Sequence, residues 1–314
     1  MLLTHKKLFM KFLTTQKPFN SMERIDKIVF GDNQFFGINH RSQDKAEELA
    51  KKFSDIQNIF EVYDNAFDCG VKAVMLNSND RAKEITEYFR EHKDKYGHLT
   101  WYPSIPYPHK YANMVAEKGI MPAMNEVLFK GNTASGVLGM IGKGTTAVLG
   151  KDLLKMMEML IDVEYRMFRG LDVKVLFLQN VITDLILGYD IKEVFQRYCD
   201  FIRKKYKVLP GFITLNMPYL RNKLMEWGIE EVVICSTINA AGFNMNPSPE
   251  EYERVIAEND PSKYQLMAMN VLASGSITPQ ESFDYINQLN IQSVVFGASS
   301  KAHIKNSMEL INLK

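Results

Sequence analysis

The sequence predicts an α/β fold of the (β/α)8 barrel class, the TIM barrel. Short apolar runs alternate with helical patterns along the chain, and this alternation indicates a parallel sheet. Eight such repeats can be counted, which is the number of strands that closes a barrel. No two apolar runs are joined by a two-residue turn, as they would be in an antiparallel hairpin.

The length and composition fit one barrel domain. The chain has 314 residues, of which 46% are hydrophobic and 24% are charged, as in an ordinary globular protein. We expect a single domain over residues 22–314, with an insertion at about 119–150. Residues 1–21 contain several lysines and no acidic residue, and we expect them to form a loosely ordered N-terminal extension outside the fold.

The charge balance and the cysteines bound the partners and the compartment. With 38 basic and 37 acidic residues the net charge is +1, so no overall field favours nucleic acid or an anionic membrane. No apolar run reaches the roughly 18 residues of a membrane span. Cys69, Cys199 and Cys235 show no CxxC spacing, which indicates a reducing compartment, and we expect a cytoplasmic protein.

Eight strands and the helices between them can be placed from the apolar pattern. Glycine just past a helical pattern marks a helix end, as at Gly70. The predicted strands cover residues 27–30, 72–76, 99–102, 173–178, 211–215 and 232–235, and two further apolar runs begin at Tyr264 and Ser293. The main predicted helices cover about 44–53, 58–69, 81–93, 110–118, 151–168 and 191–206, one ends near 258, and one follows each of the last two strands.

The connection between the third and fourth predicted strands is unusually long. Its segment 131–150 holds six glycines, and a barrel connection of this length is usually functional, for example as a lid over the mouth. A small helical hairpin packed on the outside of the barrel fits the pattern equally well. A phosphate-binding P-loop is excluded, because Gly144 follows Lys143 where that motif requires serine or threonine.

Two glycine-containing loops near the C-terminus predict an anion site. The first follows the seventh strand and contains Gly275 and Ser276, and the second follows the eighth strand and contains Gly297, Ser299 and Ser300. In (β/α)8 barrels these two loops often bind a phosphate group. Glycine lets the backbone approach the anion, and the N–H groups of the next helix point at it. Ordinary strand-to-helix turns are the alternative interpretation.

The residues just past each strand are rich in side-chain amides. Because these positions lie at the C-terminal mouth of a barrel, where chemistry is placed, they suit a ligand with hydroxyl, carbonyl or amide groups. The strand-end positions are Asp32, Asn33, Asn77, Ser104, Gln179, Asn180, Asn216, Asn239, Asn270, Ser274 and Ser299. Among them we predict Asn180, Asn216 and Asn239 as ligand-binding residues.

Proton transfer, if it occurs, has few candidate groups. Asp32 is the carboxylate placed directly on a strand end, His109 follows a proline-rich segment after the third strand, and Asn77 ends the second strand. We predict these three as catalytic residues. A loop residue that caps neighbouring N–H groups is the alternative for Asp32. No HxH or HExxH pattern occurs, so we predict no metal site.

The C-terminal part of the chain, from about residue 170, resembles the aldo/keto reductase superfamily. The similar stretches are FITLNMPYL (212–220), VVICSTINAAGFNMNPS (232–248), MAMNVLASGSIT (267–278) and VVFGASSKAHIKN (294–306). The resemblance implies a (β/α)8 barrel, an NAD(P)-linked oxidoreductase ancestry and a coenzyme-phosphate loop after the eighth strand. NAD(P)H is implied by this resemblance alone.

The same resemblance implies that the family's Asp, Tyr, Lys and His set has been replaced. The chain has Leu76-Asn77 where the family has its Asp, Ser104-Ile105 where it has its Lys and Gln179-Asn180 where it has its His. Residues 78–81 contain no tyrosine. The chain therefore looks like a divergent branch of the superfamily. We expect an enzyme that acts on a small, anionic, phosphorylated or polyhydroxylated metabolite. A divergent NAD(P)H-dependent oxidoreductase and a non-catalytic ligand-binding protein are the alternatives.

Overall fold

The computed structural model describes residues 22–36, 43–108, 117 and 146–313. In this part of the chain eight parallel strands close into a barrel surrounded by helices, and one short additional strand pairs with the third. The predicted fold class is thus confirmed. The predicted N-terminal extension, the helix predicted at 110–118 except residue 117, His109, and the insertion as far as residue 145 lie outside the described residues.

The elements follow one another in the alternation that the sequence indicates. The strands are β1 (Ile28–Phe30), β2 (Ala73–Asn77), β3 (Thr100–Ile105), β4 (Asp172–Val173), β5 (Val175–Leu178), β6 (Leu209–Thr214), β7 (Val232–Thr237), β8 (Tyr264–Met269) and β9 (Ser293–Phe296). The helices are α1 (Gln43–Lys52), α2 (Ile56–Asp68), α3 (Ala82–Glu91), α4 (Lys93–Tyr96), α5 (Thr146–Tyr165), α6 (Asn180–Gly188), α7 (Lys192–Tyr206), α8 (Met217–Trp227), α9 (Pro249–Ala257), α10 (Pro279–Ile286) and α11 (Lys301–Leu310).

The ring closes between the first and last strands. Phe30 of β1 aligns with Val74 of β2 on one side and with Phe296 of β9 on the other. Strands β8 and β9 are also neighbours, with Ala268 beside Val294. The last two crossovers therefore deliver their loops to adjacent positions on the rim, as the predicted anion site requires.

The strand predicted at 173–178 is interrupted in the structure. Lys174 separates β4 from β5, although its N–H still donates to the carbonyl oxygen of Trp101 at 3.0 Å. Strand β4 pairs with the start of β3, and β5 pairs with the end of β3 and with β6. The ladder continues on both sides of this single residue, so the ring still has eight members.

Helices α6 and α8 occupy connections where the sequence analysis placed no helix. Helix α6 has an apolar face that points to solvent, with Val181 50% and Leu185 57% exposed, so its sequence lacks the usual amphipathic pattern. Helix α8 starts at a cap that is clear in retrospect, since Asn216 accepts a hydrogen bond from the N–H of Tyr219 and a proline lies in the first turn.

The barrel interior is filled with side chains and closed at its N-terminal end. The side chains are packed so closely that a Cβ on Gly211 would lie 2.4 Å from Cδ1 of Phe177. This interior position therefore requires glycine. The interior cluster contains Val29, Ala73, Met75, Tyr102, Val175, Phe177, Ile213, Val233, Cys235, Met267 and Val295, with Met22 and Ile25 packed beneath it.

Residues 22–26 form the plug at that end. The side chain of Gln265 accepts a hydrogen bond from the N–H of Ile25 at 2.9 Å and donates one to the carbonyl oxygen of Glu23 at 2.7 Å. Asp26 accepts a hydrogen bond from the hydroxyl of Tyr102 at 2.6 Å. Because this end is closed by backbone and side chains, a ligand of the barrel would enter from the opposite, C-terminal end.

Candidate functional site

A chain of hydrogen-bonded polar side chains lies at the C-terminal ends of β1, β2, β3 and β5. The backbone N–H of Asn77 donates to Oδ2 of Asp32 at 2.8 Å, and its side-chain Nδ2 donates to Oδ1 at 2.7 Å. The Nε2 atom of Gln179 donates to Oδ1 of Asn77 and, at 3.3 Å, to the carbonyl oxygen of Ser104. A continuous series of hydrogen bonds thus connects Asp32, after β1, to Ser104, near the end of β3.

The strand register brings these residues together. Side chains alternate between the two faces of a strand, so a residue two positions past an interior side chain also points into the barrel. Three residues of the hydrogen-bonded series have this spacing: Asn77 after Met75, Ser104 after Tyr102, and Gln179 after Phe177. They form a polar layer above the apolar interior, on strands that are hydrogen-bonded neighbours.

Asp32 is the titratable residue of this series of hydrogen-bonded side chains. Only 2% of the residue is exposed, and this burial raises the pKa of its carboxyl group to about 6, although the hydrogen bonds from Asn77 act in the opposite direction. A carboxyl group with a pKa near neutrality can both accept and release a proton under physiological conditions. The structure therefore gives Asp32 a property that proton transfer requires.

Two tyrosines that are not among the predicted site residues lie close enough to Asp32 for its charge to raise their pKa values. Burial raises the pKa of Tyr63 well above its usual value, and the charge of Asp32 adds to the effect. Tyr107, whose N–H donates to Oγ of Ser78 at 3.1 Å, has its pKa raised by burial and by the charges of Asp32 and Asp80. Both phenols are thereby made weaker acids.

The two tyrosines differ in how far the sequence alone indicates that they lie near Asp32. Tyr63 lies on α2 and reaches the site through a packed aromatic cluster, with its ring centroid 4.9 Å from that of Phe35. No pattern in the sequence signals this contact. Tyr107 lies two residues past the end of β3, so its proximity to the mouth could have been noticed.

Ser104 carries an unpaired hydroxyl group at this site. The residue is fully buried, and its Oγ atom has no hydrogen-bond partner among the described residues. A buried polar group without a partner costs about 1–3 kcal/mol. Such groups are rare in native proteins and call for a ligand, a water molecule or a functional reason.

The loop after β8 has an unusual backbone. Ala273, Ser274 and Gly275 form a short 3-10 helix with positive φ angles of 47°, 57° and 82°, a left-handed conformation that is costly for the first two residues. The side chain of Asn270 holds the turn by accepting the N–H of Ser274 at 2.9 Å. Gly275 and Ser276 are exposed at the rim.

The loop after β9 meets the loop after β1. Gly297 is exposed, and a Cβ at this position would lie 2.2 Å from Oε1 of Gln34. The side chain of Gln34 is held across Gly297 because its Nε2 atom donates to the carbonyl oxygen of Gly31 at 2.7 Å. A side chain at position 297 would therefore displace the amide group of Gln34.

The remaining predicted anion-binding residues, Ser299 and Ser300, lie directly before α11. Ser300 caps the helix by accepting the N–H of His303 at 3.4 Å. The ammonium group of Lys52 donates to the carbonyl oxygen of Ser299 at 2.9 Å. A helix N-terminus and a lysine beside it create a positive potential that favours an anion.

The three predicted ligand-binding asparagines do not join the hydrogen-bonded chain. Asn180 is the first residue of α6, and Asn216 caps α8. Asn239 is 1% exposed, and its side chain exchanges two hydrogen bonds of 3.0 Å with the backbone of Phe243. Asn239 thus clamps its own loop, and the ligand-binding roles of all three remain predictions.

The described residues contain no group of three or more His, Cys, Asp or Glu side chains that could hold a metal ion. Their helices include none with the length and hydropathy needed to cross a membrane.

Comparison with solved structures finds aldo-keto reductases. A Pseudomonas aeruginosa protein assigned as an aldo-keto reductase matches with a TM-score of 0.58 and 11% identity, covering 95% of this chain and 94% of that one. The holo form of an aldo-keto reductase from Bacillus halodurans matches with a TM-score of 0.52 and 10% identity, covering 94% and 90%. A protein assigned as a 2,5-diketo-D-gluconic acid reductase B matches with a TM-score of 0.52 and 11% identity, covering 91% and 82%.

The sequence comparisons add no relative, since no protein-family model and no curated protein matches the chain. At identities of 10–11%, the TM-scores of 0.52 and 0.58 show a shared barrel architecture. This agrees with the aldo/keto reductase resemblance that the sequence motifs indicate.

Proposed function

We propose that the protein is an enzyme that acts on a small phosphorylated or polyhydroxylated metabolite at the C-terminal mouth of its barrel, in the cytoplasm. Asp32 is the group that takes up or releases the proton. The observation that carries the proposal is the buried carboxyl group of Asp32, with a pKa of about 6, at one end of a series of hydrogen bonds that ends at the carbonyl oxygen of Ser104.

The chemistry of the rim supports this class of ligand. Amide and hydroxyl groups line the side formed by β1 to β5, and they suit hydroxyl groups of a metabolite. On the side formed by β8 and β9, the first turn of α11 and Lys52 suit an anionic group such as a phosphate. A metabolite with a phosphate at one end and hydroxyl groups at the other would use both sides.

A thermal-shift screen with sugar phosphates and free polyols tests the binding part of the proposal. A ligand at about 100 times its dissociation constant stabilises the folded protein by about 2.7 kcal/mol, which raises the melting temperature measurably. We expect at least one phosphorylated polyol to do so. If none raises the melting temperature at millimolar concentration, the proposed ligand class is wrong.

The Ser104→Ala variant sharpens the screen. Because the hydroxyl has no hydrogen-bond partner among the described residues, its removal should not destabilise the fold and should stabilise it by up to about 1 kcal/mol. If the hydroxyl serves a ligand, the same change should weaken binding of the stabilising compound. Equal binding by Ser104→Ala and the unchanged protein would place the ligand elsewhere.

The catalytic role of Asp32 is tested once a turnover has been found. The Asp32→Asn variant keeps the size of the side chain and removes its titration. We expect turnover to fall by at least 100-fold, within the usual range for loss of a general acid or base. Unchanged turnover would exclude Asp32 as the proton carrier.

A divergent NAD(P)H-dependent oxidoreductase is the second candidate function. It is favoured by the aldo-keto reductase structures, which match 91–95% of this chain. The capped first turn of α11, with Lys52 beside it, fits a coenzyme phosphate. Titration with NADPH, followed by the fluorescence of the two tryptophans, tests this candidate, and no binding at millimolar coenzyme would exclude it. A compound that binds but is never converted would favour a non-catalytic ligand-binding protein.

A further inference from the structure

We infer that the mouth of the barrel presents a hydrogen-bond acceptor, the Oε1 atom of Gln179, to its ligand, and that the site therefore selects a hydroxyl group over a carbonyl group at this point. The inference rests on the proposed function for the presence of a ligand. It concerns the polarity of one contact, and it follows from how the two amides between Asp32 and Ser104 must be oriented.

Both ends of the hydrogen-bonded chain are acceptors. At one end stands the carboxylate of Asp32, which when ionised can only accept hydrogen bonds. At the other end stands the carbonyl oxygen of Ser104, which is a backbone group and also can only accept. The two amides of Asn77 and Gln179 fill the interval between these fixed acceptors.

This arrangement leaves one orientation for each amide. The Nδ2 atom of Asn77 must face Asp32, at 2.7 Å, so its Oδ1 atom faces Gln179. The Nε2 atom of Gln179 then has two acceptors, Oδ1 of Asn77 and the carbonyl oxygen of Ser104. Amide nitrogen and oxygen are commonly distinguished only by such networks, and here the network determines them.

The opposite orientation would be strongly unfavourable. With Gln179 rotated by half a turn, its Oε1 atom would face the carbonyl oxygen of Ser104 and Oδ1 of Asn77, which places acceptors against each other. Rotating Asn77 as well would point its Oδ1 atom at the carboxylate of Asp32. Each rotation replaces a hydrogen bond by a repulsion in a buried site, where both are strong.

The remaining atom of Gln179 is therefore an acceptor. Its Oε1 atom receives no hydrogen bond from any described residue, and the side chain keeps 6% exposure at the C-terminal end of β5. A ligand hydroxyl can donate to this atom, whereas a ligand carbonyl oxygen would meet it lone pair to lone pair. Enzymes that polarise a carbonyl group place donors at its oxygen, and Gln179 supplies the reverse.

Matched probes test the inference directly. Glycerol 3-phosphate and dihydroxyacetone phosphate differ at one carbon, which bears a hydroxyl in the first and a carbonyl in the second. At pH 8, where Asp32 is ionised, we expect glycerol 3-phosphate to bind at least about tenfold more tightly, equivalent to about 1.4 kcal/mol. Glycerol and dihydroxyacetone form a second pair without phosphate, in which glycerol should bind better.

The Gln179→Met variant removes the acceptor and keeps the length of the side chain. It should reduce the preference within each pair to less than about twofold. The matched control is Gln288→Met. This change alters an exposed glutamine whose side chain donates to the carbonyl oxygen of Asp284, and it should keep the full preference. Tighter binding of the carbonyl compounds by the unchanged protein overturns the inference.

A measurement without ligand separates this inference from the proposed function. In the predicted orientation both Nε2 protons of Gln179 are engaged, so their NMR signals, assigned by their loss in Gln179→Met, should exchange slowly with water. Rapid exchange of these protons overturns the inference, whether or not any compound binds. Slow exchange together with no binding of any probe supports the amide orientation and refutes the proposed function.

Discussion

The buried carboxyl group of Asp32 should make the stability of the protein depend on pH, and Asp32→Asn should remove that dependence. The pKa of Asp32 is raised from an ordinary value near 4 to about 6 by burial. The unfolded chain therefore loses this proton at lower pH than the folded protein does. Between these two values the folded state binds more protons than the unfolded state, so the free energy of unfolding falls as pH rises.

The size of the effect follows from the shift. A pKa difference of about 2 units corresponds to about 3 kcal/mol, since each unit is 1.36 kcal/mol. Below about pH 4 both states are protonated and the cost is absent. Above about pH 6 both states are ionised and the full cost of about 3 kcal/mol remains. The contribution of Asp32 is thus unfavourable at neutral pH and disappears on acidification.

Urea unfolding at a series of pH values from 4 to 8, followed by circular dichroism, measures this dependence. The difference in free energy of unfolding between the unchanged protein and Asp32→Asn should itself change by about 3 kcal/mol across the range, because all other titrating groups cancel. The exposed carboxylate Asp284 on α10 provides the control Asp284→Asn, which should show no such change. Parallel curves for Asp32→Asn and the unchanged protein would refute the reasoning.

Three further predictions concern other parts of the barrel. Gly211→Ala should lower stability by about 1–3 kcal/mol in urea unfolding, because its Cβ would overlap the ring of Phe177 at 2.4 Å. Ser300→Ala should cost about 1 kcal/mol through loss of a helix cap and should weaken binding of phosphorylated probes, whereas the matched cap variant Ser248→Ala should lose stability alone. Ser104→Ala should raise the melting temperature of the ligand-free protein slightly, because it deletes an unpaired buried hydroxyl.

The fold was readable from the sequence because the strands of a parallel barrel are buried on both faces. Such strands appear as continuous apolar runs, and the runs before Asp32 and Asn77 end where the structure ends β1 and β2, to within a residue. Neighbouring positions in the ring then follow from chain order. The contact of Asp32 with Asn77 could therefore be predicted in principle, because the two residues lie at the ends of neighbouring strands.

The rest of the site depends on features that no local pattern encodes. Gln179 reaches Asn77 because β5 pairs with the end of β3 after the interruption at Lys174, and this register is not visible in the sequence. Tyr63 lies on α2, in the layer of helices that surrounds the barrel. Helix α6 was missed because Val181 and Leu185 face solvent, which reverses the usual relation between apolar side chains and burial.

The position of the carboxylate is the reason why the chemistry we propose differs from that of a reductase. The resemblance assigns Asn77 to the position of the family Asp, and the structure supplies a carboxylate one strand away, at Asp32, in contact with that same residue. A cation beside a buried carboxylate would hold its pKa low. No lysine or arginine among the described residues pairs with Asp32, and burial therefore raises its pKa to about 6. We therefore propose exchange of a proton with a bound hydroxyl group, which one carboxyl group among neutral amides suits better than stabilisation of charge on a carbonyl oxygen.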